Sequence, residues 1–297
     1  MKSYHDIVGD GGSNVLAQVE AQQESIARSL GGVRNLVAIG SGKGGVGKST
    51  VTMQLASALR ALGNKVSILD ADLNGPCQAR LGGLGDQVLV PGEHGAAVPT
   101  TREGIGVVSM GSLFPEPRAV DFETVADGSS QTWRATKEFT VLRELLAGMD
   151  WGELDYLLLD LPPGVERIVQ FSELLGPAAV FVLVGIPSDV ARGVVARSID
   201  ALERTPNEVL GYIENMNGYY CPDCQSVKPL FPAQSDVKLE LACLGSIPFD
   251  PDLAALCDRG DAVSSSTELF SRQPVHLIAE EICQRIAQLA PDPDERR

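Results

Sequence analysis

Eight consecutive residues, Gly42-Lys43-Gly44-Gly45-Val46-Gly47-Lys48-Ser49, satisfy Gly-x-x-x-x-Gly-Lys-Ser at every fixed position and so could grip a phosphate chain. The glycines let successive backbone N–H groups converge on phosphate oxygens, and a helix beginning near Lys48 adds its positive end. Lys48 supplies a mobile cation, and Ser49 offers a hydroxyl to Mg2+. Asp70-Ala71-Asp72 and Asp160-Leu161-Pro162-Pro163-Gly164 each close a short aliphatic run. Carboxylates are thereby placed at the carboxyl ends of strands, the edge where open α/β sheets bind ligands. Phosphoryl transfer needs an acid near Mg2+ and a group that orients the attacking water; Asp160 suits the first role and Asp72 the second. One aspartate alone would serve as well in a turn or a helix cap. Several on the edge that carries a glycine-rich loop point to catalysis.

A second kind of chemistry is written in Cys221-Pro222-Asp223-Cys224, the one close pair among Cys77, Cys221, Cys224, Cys243, Cys257 and Cys283. Two thiolates two residues apart can face one metal centre, but tetrahedral zinc or a four-iron cluster takes four protein ligands. Cys243 could complete a zinc knuckle. A thioredoxin-like redox pair would instead sit at a helix amino terminus just after a first strand, which is not the context here. Cys243, at the start of an expected buried strand, and Cys257, within an expected helix, read as small core residues.

The elements that must position these groups follow from hydrophobic patterning. Strands are expected over residues 36–40, 66–70, 105–110, 156–160, 180–185, 209–213 and 244–247. Helices are expected over 14–30, 48–62, 134–149, 168–175, 189–204, 253–259 and 275–289. The strand runs are apolar throughout, as in strands covered on both faces of a parallel sheet, and their alternation with helices predicts an α/β, doubly wound, mainly parallel sheet. A helical arm at 1–32, one phosphate-binding domain at 33–290 and a frayed tail at 291–297 are the expected divisions. Long excursions are expected at 82–101 and 218–236, the second holding the cysteine pair.

With 24 Lys plus Arg against 39 Asp plus Glu, the chain of 297 residues carries a formal charge of −15. It lacks the basic patch a nucleic-acid binder needs. Its longest apolar runs, at 156–161 and 178–186, fall far short of the ~20 residues that span a bilayer. The first residues read as no signal peptide, so neither nucleic acid nor membrane is an expected partner and the cytoplasm is the expected compartment.

Lys43 is a second lysine inside the loop. Written Lys43-Gly44-Gly45-Val46-Gly47-Lys48-Ser49, the segment resembles the deviant phosphate-binding loop of the MinD, ParA and nitrogenase iron protein class. With Thr50, Asp70-Ala71-Asp72-Leu73-Asn74-Gly75-Pro76, Trp151-Gly152-Glu153-Leu154-Asp155-Tyr156, Asp160-Leu161-Pro162-Pro163-Gly164, Glu214-Asn215-Met216 and the cysteine pair in that order, the chain resembles the Mrp/ApbC iron–sulfur cluster carrier ATPases. The resemblance covers about residues 33–260 and implies a P-loop NTPase fold and a homodimer. It also implies slow ATP hydrolysis coupled to carriage of a [4Fe–4S] cluster from an upstream scaffold to apo-proteins. On the same resemblance Gly42, Gly44, Gly45, Val46, Gly47, Lys48, Ser49 and Thr50 hold phosphates and Mg2+, and Lys43 reaches the partner's nucleotide. Asn215 faces the adenine, and Cys221 and Cys224 of two chains share the cluster. One departure stands out: where that family often reads Pro-Pro-Gly-Thr-Gly-Asp, this chain reads Pro162-Pro163-Gly164-Val165-Glu166-Arg167. The rivals are a MinD/ParA-like spatial-organising ATPase and a P-loop ATPase with a structural zinc at the cysteines. The first would need a basic amphipathic last helix, whereas 275–289 carries Glu280, Glu281 and Arg285.

Overall fold

The structure, a computed structural model, describes residues 15–85, 87, 89–93, 95–109, 131–231, 238–263 and 274–289. The described residues begin with α1 (Val15–Ser29) and then β1 (Val33–Gly40), α2 (Lys48–Ala61), β2 (Val66–Asp70) and the single turn α3 (Gln78–Leu81). Short strands β3 (Val90–Pro91) and β4 (Ala96–Ala97) precede β5 (Gly106–Val108), α4 (Gln131–Gly148), β6 (Met149–Asp150), β7 (Leu154–Asp160) and α5 (Val165–Leu175). Then come β8 (Ala179–Gly185), α6 (Asp189–Leu202), β9 (Val209–Cys221), β10 (Ser226–Lys228), β11 (Cys243–Phe249), α7 (Pro251–Arg259) and α8 (Val275–Leu289).

The main sheet runs β5-β2-β7-β1-β8-β9-β11, every neighbouring pair parallel, and β10 joins β9 as an antiparallel hairpin. Alternation along each strand splits the core into two layers. Val37 and Ile39 of β1 face the layer holding Leu55 and Leu59 of α2 with Ile278 and Ile282 of α8. Leu36 and Ala38 face the layer of Leu142 and Leu146 from α4, Phe171 from α5 and Ile199 from α6. The doubly wound parallel sheet read from the sequence is what forms. Because β1 lies between β7 and β8, the loop leaving β1 opens beside the carboxyl ends of both, the crevice where such sheets bind ligands.

α8 turns Val275, Ile278, Ala279 and Ile282 into the core against the sheet and α2, while Leu277 and Leu289 stay exposed. Among the described residues no helix is long and apolar enough to cross a membrane. The tail 291–297, the first fourteen residues and the 232–236 end of the second excursion lie outside the described residues.

Three expectations need correction. The strand expected at 209–213 continues to Cys221, so the first cysteine closes a strand rather than sitting in a loop. Cys243 does begin a strand, but among the described residues β11 has only β9 as a neighbour, and the thiol at its open end is exposed instead of buried. The excursion at 82–101 contains the two strands β3 and β4, which with β6 make a small separate sheet.

Candidate functional site

The loop of residues 41–47 joins β1 to α2, and its local geometry is dictated by glycine. Gly47, the residue before α2, has φ +78°, and a Cβ there would come within 2.3 Å of the Asn215 amide nitrogen. Only glycine combines that left-handed backbone with so close an approach. The Asn215 amide donates to the Val46 carbonyl at 2.8 Å, tying β9 to the loop. Behind the loop the Gly164 N–H donates to the Ser41 carbonyl at 2.8 Å, tying the β7 end to it as well. The buried Ser41 hydroxyl has no partner among the described residues.

Lys48 and Asp160 form an ion pair in the interior, with side chains 6% and 0% exposed. The Asp160 carboxylate also accepts from the Thr52 hydroxyl at 3.3 Å and from the Gln78 amide at 2.8 Å, and the same amide reaches the Ser49 carbonyl at 3.0 Å. Asp70 stands directly beside Asp160 in the β2–β7 register. It accepts from the backbone N–H groups of Cys77 and Gln78 at 2.8 and 3.0 Å and from the Ser109 hydroxyl at 3.1 Å. Burial, and then the Asp160 charge, push Asp70 up to about 7. Asp72, half-buried, is raised by burial against the opposing pull of Lys48, and its carboxylate accepts the Gly75 N–H at 3.2 Å. The half-buried Lys43 lies in the same loop. Lys43, Lys48, Ser49, Asp72 and Asp160 thus meet at one sheet edge.

Alongside, Gly47, Thr50, Asn215, Phe249, Asp250 and Leu253 line a pocket of about 220 Å³. Asp250 caps α7 with one oxygen, which accepts the Asp252 N–H at 2.9 Å. Its other oxygen is buried and has no partner among the described residues. Cys257, expected to be a core residue, is half-buried and lines this pocket too. Gln78, Thr52 and Asp250 went unread as site residues. A glutamine, a threonine and an aspartate carry no spacing signal; they are recruited by contacts 82 and 108 residues apart in the case of Gln78 and Thr52.

The cysteine pair lies elsewhere, at the far end of β9. There β9 and β10 pair Cys221 with Ser226 and Tyr219 with Lys228, and residues 222–225 form the turn, with Gln225 at φ +52°. Cys221 is buried, whereas everything from 222 to 230 is exposed. The Cys224 sulfur lies 3.0 Å from the Ser226 hydroxyl. Hydrogen bonds from Ser226 and then Cys221 draw the Cys224 thiol down to about 7, and the neighbouring thiols in turn raise Lys228. Among the described residues no third His, Cys, Asp or Glu joins the pair, and Cys243 is not brought to it. Tyr219 stacks on Phe249 with ring centres 6.4 Å apart, and Phe249 lines the pocket, so one aromatic contact spans from hairpin to pocket.

A family model described as ParA, NUBPL iron-transfer P-loop NTPase, matches residues 32–287. The cytosolic Fe-S cluster assembly factor CFD1 of Saccharomyces cerevisiae is 34% identical over 274 residues, 88% of this chain and 89% of that one. An iron-sulfur cluster carrier protein of Saccharolobus solfataricus is 32% identical over 249 residues, 82% of this chain and 81% of that protein. Among solved structures, a nucleotide-binding protein from Archaeoglobus fulgidus in complex with ADP superposes with a TM-score of 0.66 at 33% identity, covering 81% of this chain and 92% of that one.

Proposed function

This chain belongs to the ParA-type NUBPL iron-transfer P-loop NTPase family, and on that premise we propose that it binds and hydrolyses ATP to carry a [4Fe–4S] cluster to apo-proteins. The nucleotide half of this reading is supported by a cradle whose glycine a Cβ would fill, a buried Lys48–Asp160 pair, and buried oxygens on Ser41 and Asp250 that have no partner among the described residues. When bound, Mg·ATP supplies the phosphoryl group, its charge offset by the metal. The loop N–H groups, Lys48, Ser49 and Thr50 would hold the phosphates and Mg2+. Asp160 orients Lys48 and would supply a carboxylate near the metal, Asp72 would orient the attacking water, and Lys43 would serve the nucleotide of a second copy. Asn215 and the free oxygen of Asp250 suit the polar edge of adenine at the wall of the pocket.

The cluster is cargo rather than a resident cofactor. The observation that carries this half is the single strand β9, which runs from Asn215 at the nucleotide pocket to Cys221 at the hairpin. Each chain offers two thiolates, a four-iron cluster takes four, and a two-fold interface brings the same patch of two copies together. The homodimer is therefore part of the proposal, as are an upstream scaffold and apo-protein clients. The cytoplasm is the proposed compartment, since the CFD1 relative is named as cytosolic. A spatial-organising role finds no support in α8, which turns Val275, Ile278, Ala279 and Ile282 into the core and carries Glu280 and Glu281.

The test is anaerobic purification of the full chain, with iron, sulfide and zinc counted and the visible spectrum recorded. A brown protein with about four irons and four sulfides per two chains is expected. One zinc per chain and no iron would select the structural-zinc alternative.

A further inference from the structure

Glu138 is a buried carboxylate that the nucleotide site does not use directly. It sits on α4, its side chain 9% exposed, and each of its oxygens is held by a different segment. The Asn74 amide donates to Oε1 at 2.8 Å, and the Arg167 guanidinium pairs with Oε2 at 2.6 Å. A carboxylate taken out of water demands such partners, and one that has two polar groups on separate segments fixes those segments to each other. Asn74 belongs to the tight turn after β2 that Asp72 closes, through the Gly75 N–H at 3.2 Å to both its carbonyl and its carboxylate. Arg167 lies in the first turn of α5, three residues after Gly164, whose N–H is bonded to the loop residue Ser41. The neighbouring Phe139 packs on Phe171 with ring centres 5.2 Å apart, which seats α4 against α5 beside the ion pair.

We propose that Glu138 is a positioning residue for ATP hydrolysis, clamping Asn74 to Arg167 so that the Asp72 turn and residues 162–167 hold one geometry around the phosphates. The inference rests on the ATP-hydrolysing reading above and adds to it a group outside the phosphate loop. A water-orienting carboxylate is sensitive to shifts of about 1 Å, which can cost on the order of 100-fold in rate without touching affinity.

The test uses the full-length protein with Glu138→Ala, Arg167→Ala, and the exchange of Glu138→Arg with Arg167→Glu. ATP affinity is read by calorimetry, single-turnover hydrolysis by product formation, and folding by thermal melting. Both single variants should lose about 10- to 100-fold in hydrolysis rate, with ATP affinity kept within about two-fold. The exchange should recover most of the rate, because the ion pair is restored and the Asn74 amide can present its oxygen to an arginine. Arg167→Ala, whose side chain is 25% exposed in the wild type, keeps the test decisive if Glu138→Ala does not fold. Wild-type rates in the single variants, affinity lost in step with rate, or an exchange no better than its parents would each overturn the clamp. A wild type that binds ATP and never hydrolyses it would defeat the hydrolysis reading itself, and the clamp with it.

Discussion

The phosphate loop and the cysteine hairpin are built on opposite principles. Around the loop nearly every polar group is spoken for inside one chain: Lys48 by Asp160, Asp160 by Gln78 and Thr52, Asp70 by two backbone N–H groups and a hydroxyl. At the hairpin residues 222–230 are exposed, and two thiols stand without a third ligand among the described residues. The first is largely partnered within one protomer; on the proposed reading the second is half of a site shared by two. On that reading nucleotide binding belongs mainly to the single chain and metal binding to a pair of chains, with β9 as the physical link.

The largest effects should come from breaking each site separately. Lys48→Ala removes the cation aimed at the phosphates, a charged hydrogen-bond donor worth about 1.5–3 kcal/mol, so ATP affinity should fall roughly 10- to 100-fold. Iron content should hardly change. Cys224→Ala should do the reverse: symmetry deletes two of four ligands at once, so almost all iron is lost while ATP affinity by calorimetry stays at the wild-type value. If either variant damaged both properties equally, the two regions would not be separable as argued.

A smaller effect is expected from Lys43→Ala, which sharpens the distinction between chain and pair. ATP binding to the protomer should remain near normal, and any ATP-stimulated step of the dimer should be lost, as followed by cluster transfer to an apo-protein acceptor. An affinity loss equal to that of Lys48→Ala would make Lys43 a ligand within its own chain.

The smallest effect is electrostatic. Folded Asp70 binds its proton up to about pH 7, whereas the unfolded carboxyl releases it near 3.8. Between those values the native state holds more protons than the unfolded one, so the contribution of Asp70 to stability is present below about pH 4 and is lost as pH rises to about 7. Asp70→Asn has no such titration. The melting temperature of the variant relative to wild type should therefore climb between pH 4.5 and 7.5; a flat difference would show that Asp70 is ionised in the fold throughout.

How much of this was legible before folding depends on how local each feature is. The phosphate loop, its glycines and the strand before it are contiguous, so backbone conformation and chemistry are dictated by neighbours in sequence. The carboxylates Asp72 and Asp160 were legible because a parallel sheet delivers all its strand ends to one edge. Gln78 and Glu138 were not, because their partners are 82 and 64 residues away and neither residue type announces a buried role.

The sequence by itself determined the alternation of apolar strands and helices, and with it the parallel sheet, the phosphate loop at the end of β1 and the presence of two thiols two residues apart. Tertiary structure alone decided that β9 runs on to Cys221, that Cys243 is exposed at the start of β11, and that Asn74, Glu138 and Arg167 meet. The reason is physical: periodicity records which face of an element is buried, whereas a strand's length, its place in the sheet and the partner of a buried charge are set by packing between segments far apart in the chain.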